Sequence, residues 1–199
     1  QYASVTGVLG DDRDESVRAE AHRAGIKRGI HATAAGTSRT GRPAAAIAAM
    51  TATRRLLWHD GRLLHAYRGG KARHEATAEG YANLISAARA LHLLTGEDQY
   101  ISEAVQLAQA LIKHFWDAGR GGLYFSSDQA DGLIVRTRSI TDDATPNANG
   151  IMIGNFAALY HLTGEPDYLE RAQSIVAAFS EAALANPFAA PSALKSSLM

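Results

Sequence analysis

The chain has 199 residues, with 20 Lys and Arg balanced by 20 Asp and Glu. That is length for one domain with a sizeable core, and the zero formal net charge argues against the basic footprint of a nucleic-acid or anionic-membrane binder. Cysteine is absent, which excludes disulfides, zinc–thiolate sites, iron–sulfur clusters and a cysteine nucleophile.

Much of the 46% hydrophobic content is alanine. Alanine is the best helix former and lets helices approach closely, so an all-α fold is expected. No apolar run approaches the roughly 20 residues that span a bilayer. The acidic cluster Asp11, Asp12, Asp14 and Glu15 lacks the basic-then-apolar order of a signal peptide. A cytoplasmic protein is therefore expected, and because Gln1 is not a methionine, a missing upstream segment belongs to the expectation.

Residues 1–40 are poorly specified. Asp11 to Arg23 is densely charged, His31–Ser38 has no heavy apolar face, and a weak helix is expected near Glu15–Ala24. Partial helical hairpins are expected from residue 41 to residue 199. Thr40-Gly41-Arg42-Pro43 resembles a turn, and Ile47, Met50, Leu57 and Trp58 give a patchy helix. Tyr81, Leu84, Ile85, Ala88, Leu91 and His92 then share one face at helical spacing. So do Ile101, Ala104, Val105, Ala108, Leu111, Ile112 and Phe115. Two β-prone runs follow, Leu123–Ser126 and Leu133–Arg136, whose pairing predicts a small β-hairpin near 123–136. A polar loop, Thr141–Gly150, leads into a helix over about Ile151–Leu162. A last helix carries Leu169, Ala172, Ile175, Val176 and Phe179 and stops before Asn186-Pro187.

Leu94-Thr-Gly-Glu-Asp-Gln-Tyr100 returns as Leu162-Thr-Gly-Glu-Pro-Asp-Tyr168, each copy between two apolar helical patterns. Such a repeat means one helix–turn–helix unit used more than once, each copy burying its neighbour's apolar face. A fainter third copy lies upstream, where Trp58-His-Asp-Gly-Arg62 parallels Trp116-Asp-Ala-Gly-Arg120.

Leu63–Arg68, Glu79-Gly-Tyr-Ala82, Phe115-Trp-Asp117, Gly121–Phe125, Leu133–Arg136 and Asp142–Gly150 follow in that order, with the two Leu-Thr-Gly-Glu turns. Together they resemble the C-terminal part of the thioredoxin-domain proteins related to spermatogenesis-associated protein 20 and their bacterial YyaL-like relatives, from about Gly41 to Pro187. The resemblance implies an (α/α)6 toroid similar to N-acylglucosamine 2-epimerases and six-hairpin glycosidases. Four departures stand out. The chain has no thioredoxin-like domain or cysteine, and it supplies about three hairpins where a closed ring needs six. Its first 40 residues do not read as the Trp-Asn-rich helix start the family implies, Ala24–His31 being a poor substitute, and Gly80 stands where the family more often shows an acidic residue before Tyr81-Ala82.

In such a toroid, inner-helix ends and loops line a pocket, and sugar chemistry needs carboxylates and aromatic faces. Glu79 with Asp142 or Asp143 is the candidate catalytic set, and His65 the candidate proton-transfer histidine. Tyr67, Arg68, Tyr81, Arg136, Asn147 and Asn149 are candidate substrate-binding residues. The competing roles are structural: Asp142 and Asp143 are neighbours in a polar loop, and Asn147 or Asn149 suits a helix cap. Trp58 and Trp116 are expected as core plugs. His59, His65 and His74 lack metal spacing, and no phosphate loop, serine elbow or dinucleotide fingerprint occurs. No metal or cofactor is expected; a sugar or other small-molecule ligand is. The alternative is a non-catalytic helical scaffold that completes its ring by homo-oligomerising.

Overall fold

The computed structural model describes residues 42–130 and 132–197, so the helix expected at Glu15–Ala24 lies outside the described residues. The elements are α1 (Arg42–Leu57), β1 (Trp58–His59), β2 (Arg62–Arg68), β3 (Lys71–Glu75), α2 (Ala78–Thr95), α3 (Gln99–Phe115), α4 (Ala148–Thr163), α5 (Pro166–Ala185), a 3-10 turn (Pro187–Ala189) and α6 (Pro191–Ser197). The four helices expected between Tyr81 and Phe179 all form, and α5 ends at Ala185, before Asn186-Pro187. None of the described helices is long and apolar enough to cross a membrane.

The described residues fall into two compact units. One holds the residues through Ala76 and Ala87–Ala104, the other Thr77–Ser86 and the chain from Val105 onward. In the first unit, Ala46, Ala49, Met50 and Leu57 form the buried side of α1. Strands β1, β2 and β3 make an antiparallel sheet in that order, registered by Trp58↔Leu63 and Tyr67↔Ala72. Its two turns are Asp60-Gly61 and Gly69-Gly70, all four residues at positive φ. That is the two-residue hairpin loop whose twist matches the flanking strands.

The sheet corrects one expectation. The small β-element lies at 58–75, and Leu123–Ser126 and Leu133–Arg136 do not pair as a hairpin. Leu133, Ile134 and Val135 are 47%, 100% and 71% exposed, so that run buries no face that would fix a strand. Leu123 finds its partners elsewhere: a single bridge to Trp116, and the side-chain amide of Asn149, which accepts its N–H at 2.7 Å and donates to its carbonyl at 3.0 Å.

In the second unit the core is Tyr81, Ile85, Leu107, Leu111, Phe115, Met152, Phe156, Leu159 and Ile175. Phe156 stacks on Tyr168 at 5.9 Å and meets Trp116 edge-on at 6.4 Å. The buried Asn155 ties α4 to α2, donating to the Ala82 carbonyl at 2.9 Å and accepting from the Ser86 hydroxyl at 3.1 Å.

The repeated turn is built the same way twice. Gly96 and Gly164 take left-handed φ of 73° and 76°, and their N–H groups bond back to His92 and Tyr160 at 2.8 and 2.7 Å. Thr95 and Thr163 donate to Leu91 and Leu159 at 2.8 and 2.7 Å, and each accepts the N–H of the following glutamate at 3.2 Å. Nothing lies within 4 Å of a Cβ at either glycine, so only backbone strain opposes a side chain there. Gly96→Ala and Gly164→Ala should each cost about 1 kcal/mol, with matching shifts in thermal midpoint. Unequal shifts in calorimetry would show that the two turns differ energetically.

The Trp58 and Trp116 correspondence also extends into the structure. Each half-buried indole pairs with a following leucine, and each lies under an arginine, Arg54 at 4.4 Å and Arg171 at 4.8 Å.

Candidate functional site

Glu79 stands in the first turn of α2. That turn is anchored by the Ala78 N–H, which donates to the Phe125 carbonyl at 3.0 Å, while the Phe125 N–H donates to Thr137 at 2.8 Å. The segment 137–147 therefore runs from this anchor to the start of α4, carrying Asp142 and Asp143. Burial raises the Glu79 carboxyl above its ordinary range, and the nearby Asp143 and Asp142 charges push it the same way. The three carboxylates of the sequence reading thus lie within electrostatic reach of one another in a single unit.

Their surroundings differ. Asp142 accepts the Asn147 N–H at 2.6 Å, the Ser192 N–H at 2.7 Å and the Ser192 hydroxyl. Its own N–H donates to Ala189 at 2.7 Å. Asp143 is exposed, with its N–H donated to Thr145 at 3.1 Å.

The remaining expected residues divide between the two units. His65, Tyr67 and Arg68 lie on β2 of the first. His65 and Tyr67 alternate onto the face of the buried Leu63, and Arg68 is exposed at the Gly69-Gly70 turn. In the second unit Tyr81 is 2% exposed and packs on Phe115 at 5.3 Å, which makes it core rather than an open stacking platform. Arg136 donates to the carbonyls of Ser126 and His114 and covers the Tyr124 ring at 4.1 Å. Asn147 is the N-cap of α4, accepting the Asn149 N–H at 2.9 Å. Asn149 serves Leu123 and also donates to Ser139 at 2.8 Å.

Asp117 did not stand out in the sequence. Its Oδ1 accepts the N–H groups of Gly119 and Arg120 at 3.1 and 3.2 Å, and its Oδ2 accepts Arg120 Nε at 3.0 Å, with Arg138 at 3.6 Å. Burial alone would raise this carboxyl. The Tyr124 hydroxyl, the Arg120 guanidinium and the two backbone donors outweigh burial and hold it at about 2. A depressed folded value contributes stability above the unfolded carboxyl range, lost as pH falls from about 4 through about 2. Asp117→Asn should therefore flatten the fall in urea midpoint between pH 4 and pH 2. A variant that keeps the wild-type slope would assign the acid sensitivity to another group. The cue in the sequence was Asp-x-Gly-Arg, an Asx-type turn.

Among the described residues, no group of three or more His, Asp or Glu is placed to hold a metal ion.

Residues 12–190 match the family model of N-acylglucosamine 2-epimerase. The chain is 32% identical over 115 residues to spermatogenesis-associated protein 20 of Mus musculus, a match covering 57% of this chain and 14% of that protein. The human protein is 31% identical over the same length, and an uncharacterized Caenorhabditis elegans protein is 32% identical over 117 residues. The chain thus spans about one seventh of the length of these mammalian relatives. Among solved structures, cellobiose 2-epimerase from Spirochaeta thermophila superposes with a TM-score of 0.52 at 16% identity, over 81% of this chain and 41% of that one. This likeness shows the fold: an α/α-toroid arrangement of hairpins.

Proposed function

Because the chain belongs to the N-acylglucosamine 2-epimerase family, we propose that it is a sugar-processing portion of an α/α toroid in which Glu79 transfers a proton at the substrate. The observation that carries the reading is the Glu79 carboxyl, half-buried in the first turn of α2 and within electrostatic reach of Asp143 and Asp142, raised above its ordinary range chiefly by burial. Enzymes tune carboxylates upward in this way to serve as acids near neutral pH. The matching family model and the superposed structure are named as sugar 2-epimerases, and inversion at C2 of an open-chain sugar is open to proton loss from the carbon beside the carbonyl and return on the opposite face. Asp143, exposed in the loop of the same unit, is the candidate for the partnering base. Asn147 and Asn149 shape the loop that presents Asp143. A purely scaffolding role is not favoured, since the family whose model matches is named for an enzyme. A cytoplasmic location accompanies this reading.

The test is solvent deuterium incorporation at C2, followed by NMR with cellobiose and with an N-acylglucosamine. Glu79→Gln should lower the incorporation rate at least about 100-fold without moving the thermal midpoint by more than a few degrees. The raised carboxyl keeps its proton to higher pH than an ordinary glutamate. A step that needs the acid should therefore slow as pH rises through that value, and the limb should vanish in Glu79→Gln. Wild-type protein that incorporates no deuterium into either sugar would defeat the proposal.

A further inference from the structure

A carboxyl that moves a proton at a sugar also needs a surface that holds the sugar. Pyranose rings settle on aromatic faces because their axial C–H groups, slightly positive, meet the negative face of the π-system. Tyr81, Phe115 and Phe156 cannot offer that face, since all three are sealed in the core. Trp116 and Tyr124 each carry a guanidinium over the ring, Arg171 at 4.8 Å and Arg136 at 4.1 Å. Phe125 differs from them: it is 37% exposed.

The fold uses the backbone of Phe125. Its N–H donates to the Thr137 carbonyl at 2.8 Å, and its carbonyl accepts the Ala78 N–H at 3.0 Å. Tyr124 before it is pinned by its own N–H to the Phe115 carbonyl at 2.9 Å, and Leu123 before that is buried. The ring therefore stands on a fixed stretch of main chain, so little backbone freedom is lost when a ligand lies on it. The bond to Ala78 also sets where the ring is carried. Glu79 is the next residue, one Cα step of about 3.8 Å along the chain. An aromatic side chain and the proton-transfer carboxyl are thus borne by two segments that hydrogen-bond directly, inside one unit.

We propose that Phe125 is the stacking platform for a closed pyranose ring beside Glu79, and that it selects a glycosidically linked sugar over a free monosaccharide. The inference rests on the reading of Glu79 as the proton-transfer group. Proton loss at C2 needs a carbonyl at C1, so the reacting unit is an open chain at that step and offers no ring to stack. A ring held on Phe125 has to belong to a second unit, attached through a hydroxyl of the first. Binding energy from that non-reacting ring then holds the open chain against Glu79.

Phe125→Ala should raise KM for cellobiose about tenfold and leave kcat within about twofold, as for a contact made equally in ground and transition states. With an N-acylglucosamine, which has one ring, KM should not move. Phe125→Leu keeps an apolar side chain but no π face, so it should lose as much as Phe125→Ala, while Phe125→Trp should hold the wild-type KM. Binding without turnover is read by NMR on Glu79→Gln. Protons of the non-reducing ring of cellobiose should shift upfield on titration, through the ring current of Phe125, and adding Phe125→Ala should abolish the shift. The platform is overturned if those protons do not shift, if the shift survives Phe125→Ala, or if KM for the N-acylglucosamine rises as much as that for cellobiose. A shift that appears and vanishes as described, with wild-type protein incorporating no deuterium, would instead defeat the reading of Glu79 and leave Phe125 as a sugar-binding residue.

Discussion

Asn149→Ala is expected to destabilise the chain by about 3–5 kcal/mol, among the largest losses for a single polar substitution. The side chain makes three hydrogen bonds at 2.7–3.0 Å, to the N–H and carbonyl of Leu123 and to the carbonyl of Ser139. Leu123 is 1% exposed and Asn149 2%, so water cannot readily replace the lost partners. Each stranded buried group costs roughly 1–3 kcal/mol, which dominates over the small volume removed. For a chain of this size the midpoint should fall by roughly 10 °C. Asn149→Asp makes a sharper control. One oxygen still accepts the Leu123 N–H, but the other meets two carbonyl oxygens where a donor stood, so this near-isostere should also be strongly destabilised. A thermal melt of Asn149→Asp within about 2 °C of wild type would show that the Leu123 segment finds other partners.

Phe156→Ala is the second large expectation, again about 3–5 kcal/mol. Its ring is fully buried on α4 and lies between two aromatic partners, stacked on Tyr168 and edge-on to Trp116. Truncation loses the transfer free energy of the ring and leaves a cavity bordered by Trp116, just past α3, and Tyr168 on α5, so no single side chain can close it. Phe156→Leu keeps most of the volume and should cost less than half as much. Because Tyr168 closes the second repeated turn, Phe156→Ala should also weaken the Gly164 turn. Loss of exchange protection at Gly164, with the Gly96 turn unchanged, would report that coupling. Equal urea midpoints for Phe156→Ala and Phe156→Leu would mean that the cavity collapses and the stacking adds little.

The helical part of this fold was legible because its signals are local and periodic. Tyr81 to Leu91 and Ala104 to Phe115 declare their buried faces within the element itself, and Thr-Gly-Glu marks where each helix stops. The β-structure was misplaced because its decisive information is not local. Leu123–Ser126 has the right composition for a strand, yet the partner that satisfies Leu123 is an asparagine 26 residues away. The true sheet announced itself only by Asp60-Gly61 and Gly69-Gly70, two turn signals of the strongest kind. In the candidate site, residue type alone offered Glu79, Asp142 and Asp143 as candidates. That Asp142 is occupied by Ser192, 50 residues downstream, was not legible, since nothing in either neighbourhood marks the pairing. Asn155 was missed for the same reason, its partners Ser86 and Ala82 lying 69 and 73 residues away, whereas Asp117 bonds to backbone groups two and three residues on, and its only signal was the local Asp-x-Gly-Arg turn. Family resemblance supplied the toroid, which residue patterns alone left as stacked hairpins.

The two Thr-Gly-Glu turns close with bonds that never reach more than five residues along the chain. Such a joint carries its own instructions. It can be copied, with its flanking helices, without any adjustment elsewhere in the molecule to keep it shut. Selection is then left to work only on the faces where successive hairpins meet. The number of hairpins becomes a quantity that duplication or loss can change in whole steps, and a ring assembled this way can grow or shrink without new turns having to be invented.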